Sequence, residues 1–522
     1  MVPRDSMSSS DHRVRTAARR RDLGSLLRQH WLAASLLSAG LVLRVLADLA
    51  YRPALFYIDS PRYLYDSQGM DPVGYKAPLR AILFLANFDA VVAVQHLLAL
   101  AMAVVLYVLL LRRGASRWLA ALAIAPLLLD AYQIQDEQTI MPGTWFAALI
   151  VAGLAILLWR PQITWRTAAA AGLALGTSAT FAQVGEALLL PAVIFLVASG
   201  GGWRTVGAKA AALSGAFALP ILAYCTGSYL VTGAFYLSHQ GVTSFYGRTA
   251  AAVDCGTIDL PADEKAMCPT PAEQAKGNDW LEYNQASPVQ VHYYHRRPVP
   301  MPRGQVDSLI SDFGHRVLAQ QPGRVFVAYL KDVVKPFALT RGTSRGDPPI
   351  SRWQFQTGFP YFPPWVTRGW VAGATGRFGG GAPAVWLPVA RFLRSYQLDG
   401  GYTPGPLLAA LTLAGLLGSA ALAARRRLVG QGRQMALACL LFFGSGVFLL
   451  LVADTFVFSW RYQLPTLVTL VPAGALGIGV IAGMISGRGS PGRSGRHGVA
   501  HGAHEHLGAD LDVVGQPEQV AD

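Results

Sequence analysis

The sequence YIDSPRYLYDSQGMDPVGYKAPL, residues 57–79, lies between two apolar segments that are each long enough to cross a bilayer. Only 14% of this chain is charged and 52% is hydrophobic. The cluster of charged and aromatic residues therefore predicts a working site at the membrane surface. The alternative is a solvated loop whose charges merely avoid the bilayer. The cluster comprises Asp59, Asp66, Asp71, Arg62, Lys76, Tyr57, Tyr63, Tyr65 and Tyr75.

Apolar runs of about 20 residues recur on both sides of this stretch, and the mean hydropathy of the chain is +0.34. The runs are continuous and rich in Leu, Ala and Val, whereas barrel strands would alternate, so they predict an all-α polytopic membrane protein. In the first run, Arg44 and Asp48 share a helix face, where they can pair. The pair 167–182 and 186–200 is short, and a re-entrant arrangement is its alternative. We predict about ten spans, at Trp31–Tyr51, 90–111, 117–134, 140–159, 167–182, 186–200, 206–232, 405–424, 434–453 and 464–485.

Lysine and arginine are concentrated in the predicted inner loops, which places both termini in the cytoplasm and the first loop outside. Because much of the net charge of +14 lies beside spans, it indicates contact with membrane lipid and no nucleic-acid partner. The predicted parts are a basic cytoplasmic arm (1–29), an N-terminal bundle (30–232) with a catalytic first outer loop (51–88), a large extracytoplasmic domain (233–403), C-terminal membrane helices (404–485) and a disordered cytoplasmic tail (486–522).

The long outer segment contains many Pro, Gly, Trp and Tyr residues, which indicates a folded or membrane-capping domain rather than a linker. Cys255 and Cys268 both lie in it. In an oxidising outer compartment we expect them to form a disulfide, which would contribute about 3 kcal/mol. The other two cysteines, Cys225 and Cys439, lie in spans and are expected to be inert packing residues. A His-rich stretch in the tail has no scaffold around it, so we predict no metal site; a divalent cation is the unsupported alternative.

The first outer loop contains the residue types that transfer of a phosphate-linked group would need. A carboxylate beside the bilayer can act as a general base toward a hydroxyl, and Asp59 suits that role. A cation can hold a lipid phosphate and stabilise it as it leaves, and Lys76 suits that role. A phosphate leaving group needs no proton donor, so these few groups suffice for the chemistry.

The order Asp59, Tyr63 and then GYKAPL at 74–79 resembles the first outer loop of the GT-C glycosyltransferases. Among these, the pattern is similar to protein O-mannosyltransferases and lipid A aminoarabinose transferases. The resemblance implies a bundle that moves a sugar from a polyprenyl-phosphate carrier to an acceptor, with Asp59 as base and Lys76 on the carrier phosphate. Ala77 stands where K-P-P-L has its first proline. Ser60 follows Asp59 where mannosyltransferases have an acidic pair, which argues against protein mannosylation.

Two further stretches are similar to places in the same family, and a third, SFYGRTAAAVDC, resembles the YGR…C stretch of predicted actinobacterial carrier-dependent glycosyltransferases. FSWRYQLP implies that Arg461 contacts the carrier phosphate, braced by Tyr462. SFYGRTAAAVDC implies a second phosphate contact from Arg248. QDEQTIMPGTWF places Asp136 and Glu137 in a short outer turn facing the substrate cavity, which Tyr63 also lines. The alternatives are an N-terminal helix cap for the two acidic residues and interfacial anchors for Arg461 and Tyr462.

These features together predict an integral membrane glycosyltransferase with a polyprenyl-phosphate-sugar donor and a cell-envelope glycan, lipid or protein as acceptor. The alternatives are a transporter or flippase for a lipid-linked sugar, which would need no base, and a non-catalytic envelope scaffold. The sequence has no GxxxxGK[ST] loop, which argues against an ATP-driven pump. We find no internal repeat of the kind that many transporters show.

Overall fold

The computed structural model describes residues 24–25, 28–65, 72–238, 240–295, 303–358, 366–423, 428, 430–455 and 457–486. The predicted basic arm lies outside these ranges except for residues 24–25 and 28–29. The predicted tail lies outside them except for Ser486. The predicted disorder of these two parts therefore lies outside the described residues.

The described part of the chain is mostly helical. Its first half contains α1 Trp31–Ala50, α2 Ser60–Leu64, α3 Lys76–Leu85, α4 Phe88–Arg112, α5 Arg117–Leu129, α6 Ala131–Gln138, α7 Gly143–Leu158, α8 Trp165–Ala179, a 3-10 turn Gln183–Leu188, α9 Leu189–Ser199 and α10 Trp203–Thr232. The long segment that follows contains α11 Gln240–Ala252, α12 Ala262–Lys265, α13 Pro271–Gln274, α14 Asn278–Tyr283, a π-helical turn Gln290–His295, α15 Arg303–Gln320, α16 Pro322–Val334, 3-10 turns Lys335–Phe337 and Ile350–Trp353, α17 Arg368–Phe378 and α18 Leu387–Leu398. The last described part contains α19 Gly405–Ala420, a 3-10 turn Ala421–Ala423, α20 Gln431–Ala453, a 3-10 helix Trp460–Val468 and α21 Leu470–Ile485.

Within the described residues, five helices are long and apolar enough to cross a membrane, namely α1, α4, α10, α19 with its 3-10 extension, and α20. Two bent pairs raise the number to seven if each counts as one span: α5 with α6, bent by 51°, and the 3-10 helix Trp460–Val468 with α21, bent by 43°. The ten predicted spans also include α8 and two shorter apolar segments, α7 and Gln183–Ser199. The prediction of an all-α polytopic protein is confirmed.

Small residues let two pairs of membrane helices pack closely. On α8, a Cβ at Gly172 or Gly176 would lie 2.2 Å or 2.0 Å from a carbonyl oxygen of α10. On α21, a Cβ at Gly477 would lie 2.1 Å from the carbonyl oxygen of Ala414 on α19. Close approach of backbones at small residues is how helices associate where lipid removes the hydrophobic driving force. These contacts fix the bundle that carries the first outer loop.

The first outer loop is folded against the bundle, so the alternative of a solvated loop is wrong for its described part. Its start forms β1, Tyr51–Arg52, which pairs antiparallel with β2, Ala384–Val385. Leu55 then bridges to the end of α6, and Phe56, Tyr57 and Tyr63 are buried. Farther along, the Gly74 N–H donates to the carbonyl of Thr180 at 2.8 Å. The loop is therefore held at both ends by distant parts of the chain.

Part of the segment 233–403 has a hydrophobic core of its own, whereas Ile350, Trp353 and Val371 of the same segment belong to the main core of the bundle. Tyr246 of α11, Leu281 of α14 and Phe313 of α15 are buried together. Cys255 and Cys268 form a disulfide beside this core. A second cluster joins the later part of the segment to the end of α1, where the ring of Phe355 stacks on that of Tyr51 at 5.5 Å. This packing brings the 350–398 region onto the first outer loop.

Candidate active site

Asp59 is held by the short turn that begins α2. It occupies the N-cap position of that helix, and the next residue fixes the turn: Ser60 Oγ accepts from the Tyr57 N–H at 2.8 Å and donates to the Ile140 carbonyl at 3.0 Å. The Asp59 carboxylate lies 3.5 Å from Arg62 Nη1 and 3.8 Å from Arg461 Nη1. Its side chain is 19% exposed. A carboxylate that is fixed, paired with cations and still reachable can bind or deprotonate a ligand.

Arg461 brings the C-terminal part of the chain to Asp59. It lies in the first turn of the 3-10 helix Trp460–Val468, and its guanidinium sits over two rings, 4.9 Å from the Trp353 centroid and 5.5 Å from the Tyr462 centroid. Cation–π contacts of this kind orient a guanidinium without using its hydrogen-bond donors. Arg461 is thus positioned by aromatic rings, with donors facing the Asp59 carboxylate.

Two further residues, Trp353 and Arg352, lie on this side of the site. Neither belongs to a motif that resembles the glycosyltransferases. The Trp353 ring packs on the Tyr57 ring at 4.4 Å, and Arg352 Nη1 pairs with Asp279 Oδ2 at 3.1 Å. Burial and then the Asp59 charge raise the pKa of Tyr57 above its usual value, so its hydroxyl stays neutral. Burial opposes the charge of Arg352, but Asp279 and Tyr57 outweigh it and raise the pKa of Arg352.

Lys76 starts α3 on the other half of the same loop. The ring of Tyr63, four residues after Asp59, meets the ring of Tyr75 edge-on at 5.3 Å. Tyr75 is fully buried, and its hydroxyl donates to Gln95 Oε1 at 2.7 Å. Tyr75 therefore anchors the first turn of α3, and Tyr63 connects the Asp59 turn to the Lys76 turn.

Asp136 is buried near Arg461, with which it interacts electrostatically. Its Oδ1 atom has no hydrogen-bond partner, and its Oδ2 lies where a Cβ on Gly143 would clash at 2.2 Å. Two polar atoms of the residues that follow Gly143 are also buried without hydrogen-bond partners, namely Thr144 Oγ1 and Trp145 Nε1. Buried polar atoms are normally paired with protein or ordered water, so these three atoms are exceptions among the described residues.

Glu137 lies beside Asp136 in the sequence but is bound on all sides by protein. Arg44 donates to both of its oxygens at 2.7 Å, His96 Nδ1 is 2.9 Å away, and Gln133 Nε2 donates at 3.1 Å. The sequence had indicated that Arg44 could pair with Asp48 on the same helix face. Arg44 pairs instead with Glu137. The expectation of a short outer turn is also wrong, because both acidic residues lie in helix α6.

Arg248 belongs to a separate buried ion network. Its Nη2 lies 2.5 Å from Asp332 Oδ2, and its guanidinium donates to the carbonyls of Asp454 and Thr455, each at 2.9 Å. Lys335 extends the network by pairing with Asp332 at 2.6 Å. Burial and then the Asp332 charge raise the pKa of Asp454 to about 8. These contacts bind Arg248 to α16 and the end of α20, and none of them is to Asp59, Lys76 or Arg461.

Arg341 is a further buried cation that the sequence did not indicate. Its guanidinium lies 4.4 Å from the Tyr132 ring centroid and 4.8 Å from that of Tyr402, and Nη2 pairs with Asp130 Oδ2 at 3.2 Å. It also faces the ring of Trp460, the neighbour of Arg461, at 5.8 Å. No local pattern predicts such a contact, because its members come from four distant parts of the chain.

The described part of the chain contains no cluster of three or more His, Cys, Asp or Glu side chains able to hold a metal ion. The prediction that no metal or other cofactor takes part is not tested by this, and it stays a prediction.

Comparison with known proteins gives one structural likeness. The chain is similar to the S. cerevisiae protein O-mannosyltransferase Pmt1–Pmt2 complex bound to the sugar donor, with 17% identity and a TM-score of 0.30. The match covers 43% of this chain and 36% of that chain, so it spans about a third of the solved protein's length. No family model matches the chain. No curated protein matches it either. A likeness of this extent is too low to place the chain in that enzyme family.

Proposed function

We propose that this protein is a membrane glycosyltransferase that takes a sugar from a polyprenyl-phosphate carrier and passes it to an extracytoplasmic cell-envelope acceptor. The observation that carries the proposal is the 3.8 Å approach of Arg461 to Asp59. It joins the two motifs that resemble GT-C glycosyltransferases, although 402 residues separate them in the sequence.

The geometry suits a single displacement. The Asp59 carboxylate takes the proton of the acceptor hydroxyl, and the hydroxyl oxygen attacks the anomeric carbon of the sugar. The bond from that carbon to the phosphate oxygen breaks, and the phosphate leaves with the electron pair. Arg461 and Lys76 stabilise the charge that develops on it. One displacement inverts the anomeric configuration, as the motif resemblance also implies.

The neighbouring side chains have supporting roles in this proposal. Tyr462 and Trp353 orient the Arg461 guanidinium, and Tyr63 and Asp136 line the substrate cavity. Asp136 suits that position because one of its buried oxygens has no hydrogen-bond partner. Arg248 and Glu137 are left out of the ligand-binding set, because their observed contacts are with other protein groups.

The proposed location is the cell membrane, with both termini in the cytoplasm and the Asp59 site outside. Asp59 follows the C-terminal end of α1, a 20-residue helix that spans about 30 Å, the thickness of the hydrocarbon core. Lysine and arginine are concentrated in the loops at the opposite ends of the helices. Such loops usually face the cytoplasm, which supports this orientation.

The test is release of free polyprenyl phosphate by purified protein in liposomes, given a panel of polyprenyl-phosphate sugars and crude envelope acceptor. Asp59→Asn should lower release by roughly 10²- to 10⁴-fold while carrier binding survives, because only the base is lost. Arg461→Gln should weaken carrier binding as well as release. Asp312→Asn, which changes an exposed aspartate of α15, is the matched control and should behave like the parent.

Three outcomes would contradict the proposal. Movement of the carrier across the bilayer without release, unaffected by Asp59→Asn, would identify a transporter. Unchanged release in Asp59→Asn would remove the base from the mechanism. A parent protein that shows neither release nor movement of the carrier would leave a scaffold.

A further inference from the structure

A basic pocket lies at the N-terminal end of α1, the end opposite to the Asp59 site. It has a volume of about 480 Å³ and is formed where the N-terminal ends of α1 and α5 meet the last turns of α4. Arg28 and Arg117 line it together with His30 and Tyr107. Because α1 is 20 residues long, the pocket lies about 30 Å from the start of the first outer loop.

The pocket offers several hydrogen-bond donors to an anion. Both arginine side chains are on exposed residues at its rim, and His30 Nδ1 lies 2.7 Å from the Tyr107 hydroxyl. His30 is the N-cap residue of α1 and makes no side-chain cap. Two guanidinium groups form a suitable environment for a phosphate group.

Two tryptophans place this pocket at the level of lipid headgroups. Trp31 and Trp118 both line it, and their rings meet edge-on at 5.6 Å. They are 52% and 58% exposed, although they are large aromatic residues. Exposed indoles at the ends of apolar helices are typical of the membrane–water interface. A ligand in this pocket can therefore have its phosphate among the arginines and its acyl chains alongside α1 and α5.

We propose that this pocket binds the headgroup of an anionic phospholipid in the leaflet opposite the Asp59 site. The adjoining sequence agrees with this partner, since residues 1–29 carry seven arginines. Basic pockets between membrane helices recognise anionic headgroups in this way. The proposal does not depend on glycosyl transfer, because the pocket and the Asp59 site share no residue.

The test uses the full-length protein in nanodiscs that contain phosphatidylglycerol or only phosphatidylcholine, with bound lipid measured by native mass spectrometry. The parent should retain phosphatidylglycerol in preference to phosphatidylcholine. Arg28→Gln with Arg117→Gln should bind it about 30-fold more weakly, which corresponds to about 2 kcal/mol for two arginines at the surface. Arg166→Gln with Arg204→Gln removes two exposed arginines that do not line the pocket, and it should retain the lipid.

Thermal unfolding of each variant in phosphatidylcholine checks that it is folded, and the lipid-binding comparison is made between folded variants. An equal loss of phosphatidylglycerol in the two double variants would overturn the proposal, since general surface charge would then explain binding. Displacement of the lipid by millimolar inorganic phosphate would also overturn it, because the pocket would then bind free phosphate. The Asp59→Asn variant should retain phosphatidylglycerol as the parent does, whether or not it has lost glycosyl transfer.

Discussion

At the scale of single residues, the neighbouring acids Asp136 and Glu137 show how much one step along a helix changes. Successive residues of an α-helix point about 100° apart, so two adjacent carboxylates face different surroundings. Glu137 meets Arg44, His96 and Gln133, whereas Asp136 keeps one oxygen without a hydrogen-bond partner. The sequence presents the two as equivalent, and only the rotation of α6 separates them.

This difference predicts unequal effects of two isosteric substitutions on stability. Glu137→Gln removes the counter-charge of a buried arginine and should destabilise the protein by about 3 kcal/mol. Asp136→Asn breaks no observed side-chain hydrogen bond and should change stability by less than about 1 kcal/mol. Thermal unfolding in detergent measures both. A Glu137→Gln protein as stable as the parent but inactive in sugar transfer would instead place Glu137 in the substrate cavity.

At the scale of elements, the sequence predicts where the apolar segments lie but not where they bend. The apolar run 117–134 reads as one span, yet it divides into α5 and α6 at Asp130, which is extended and caps α6 by accepting from the Tyr132 N–H at 3.0 Å. Asp130 is kept there by Arg341 and the Thr403 N–H, both distant in sequence. The bend therefore depends on tertiary contacts that hydropathy does not report.

The close packing of α8 on α10 predicts that a glycine-to-alanine substitution at the contact destabilises the protein. Gly176→Ala would put a Cβ 2.0 Å from the Phe217 carbonyl oxygen, so the helices must separate, and we expect a loss of about 1–3 kcal/mol. Gly215→Ala is the matched control, because a Cβ there has no atom within 4 Å. Alanine has the higher helix propensity, so the control should be neutral or slightly stabilising. Thermal unfolding of both variants in the same detergent measures the difference. Equal losses of stability in the two variants would show that α8 and α10 do not pack this way.

At the scale of the whole molecule, the sequence motifs predict Asp59 and Arg461 as site residues but not the residues that pack around them. Both stand in motifs with a recognisable order, and the fold places them 3.8 Å apart. Trp353, Arg352 and Asp279 come from the segment 233–403, where no spacing relates them to the first loop. Their contribution follows from the packing of that segment over the end of α1, and a single sequence carries no pattern for such a contact.

The orientation of the molecule in the membrane is the last prediction, and two single-cysteine variants test it. Gln285 lies exposed just after α14, and Gln162 lies exposed between α7 and α8, between Arg160 and Arg166. Because loops rich in arginine stay in the cytoplasm, Gln285→Cys should react with a membrane-impermeant maleimide in intact cells, and Gln162→Cys only after permeabilisation. The native cysteines give little background, since Cys225 and Cys439 are buried and Cys255 and Cys268 form a disulfide. The reverse labelling pattern would place the Asp59 site in the cytoplasm, where no extracytoplasmic acceptor could reach it.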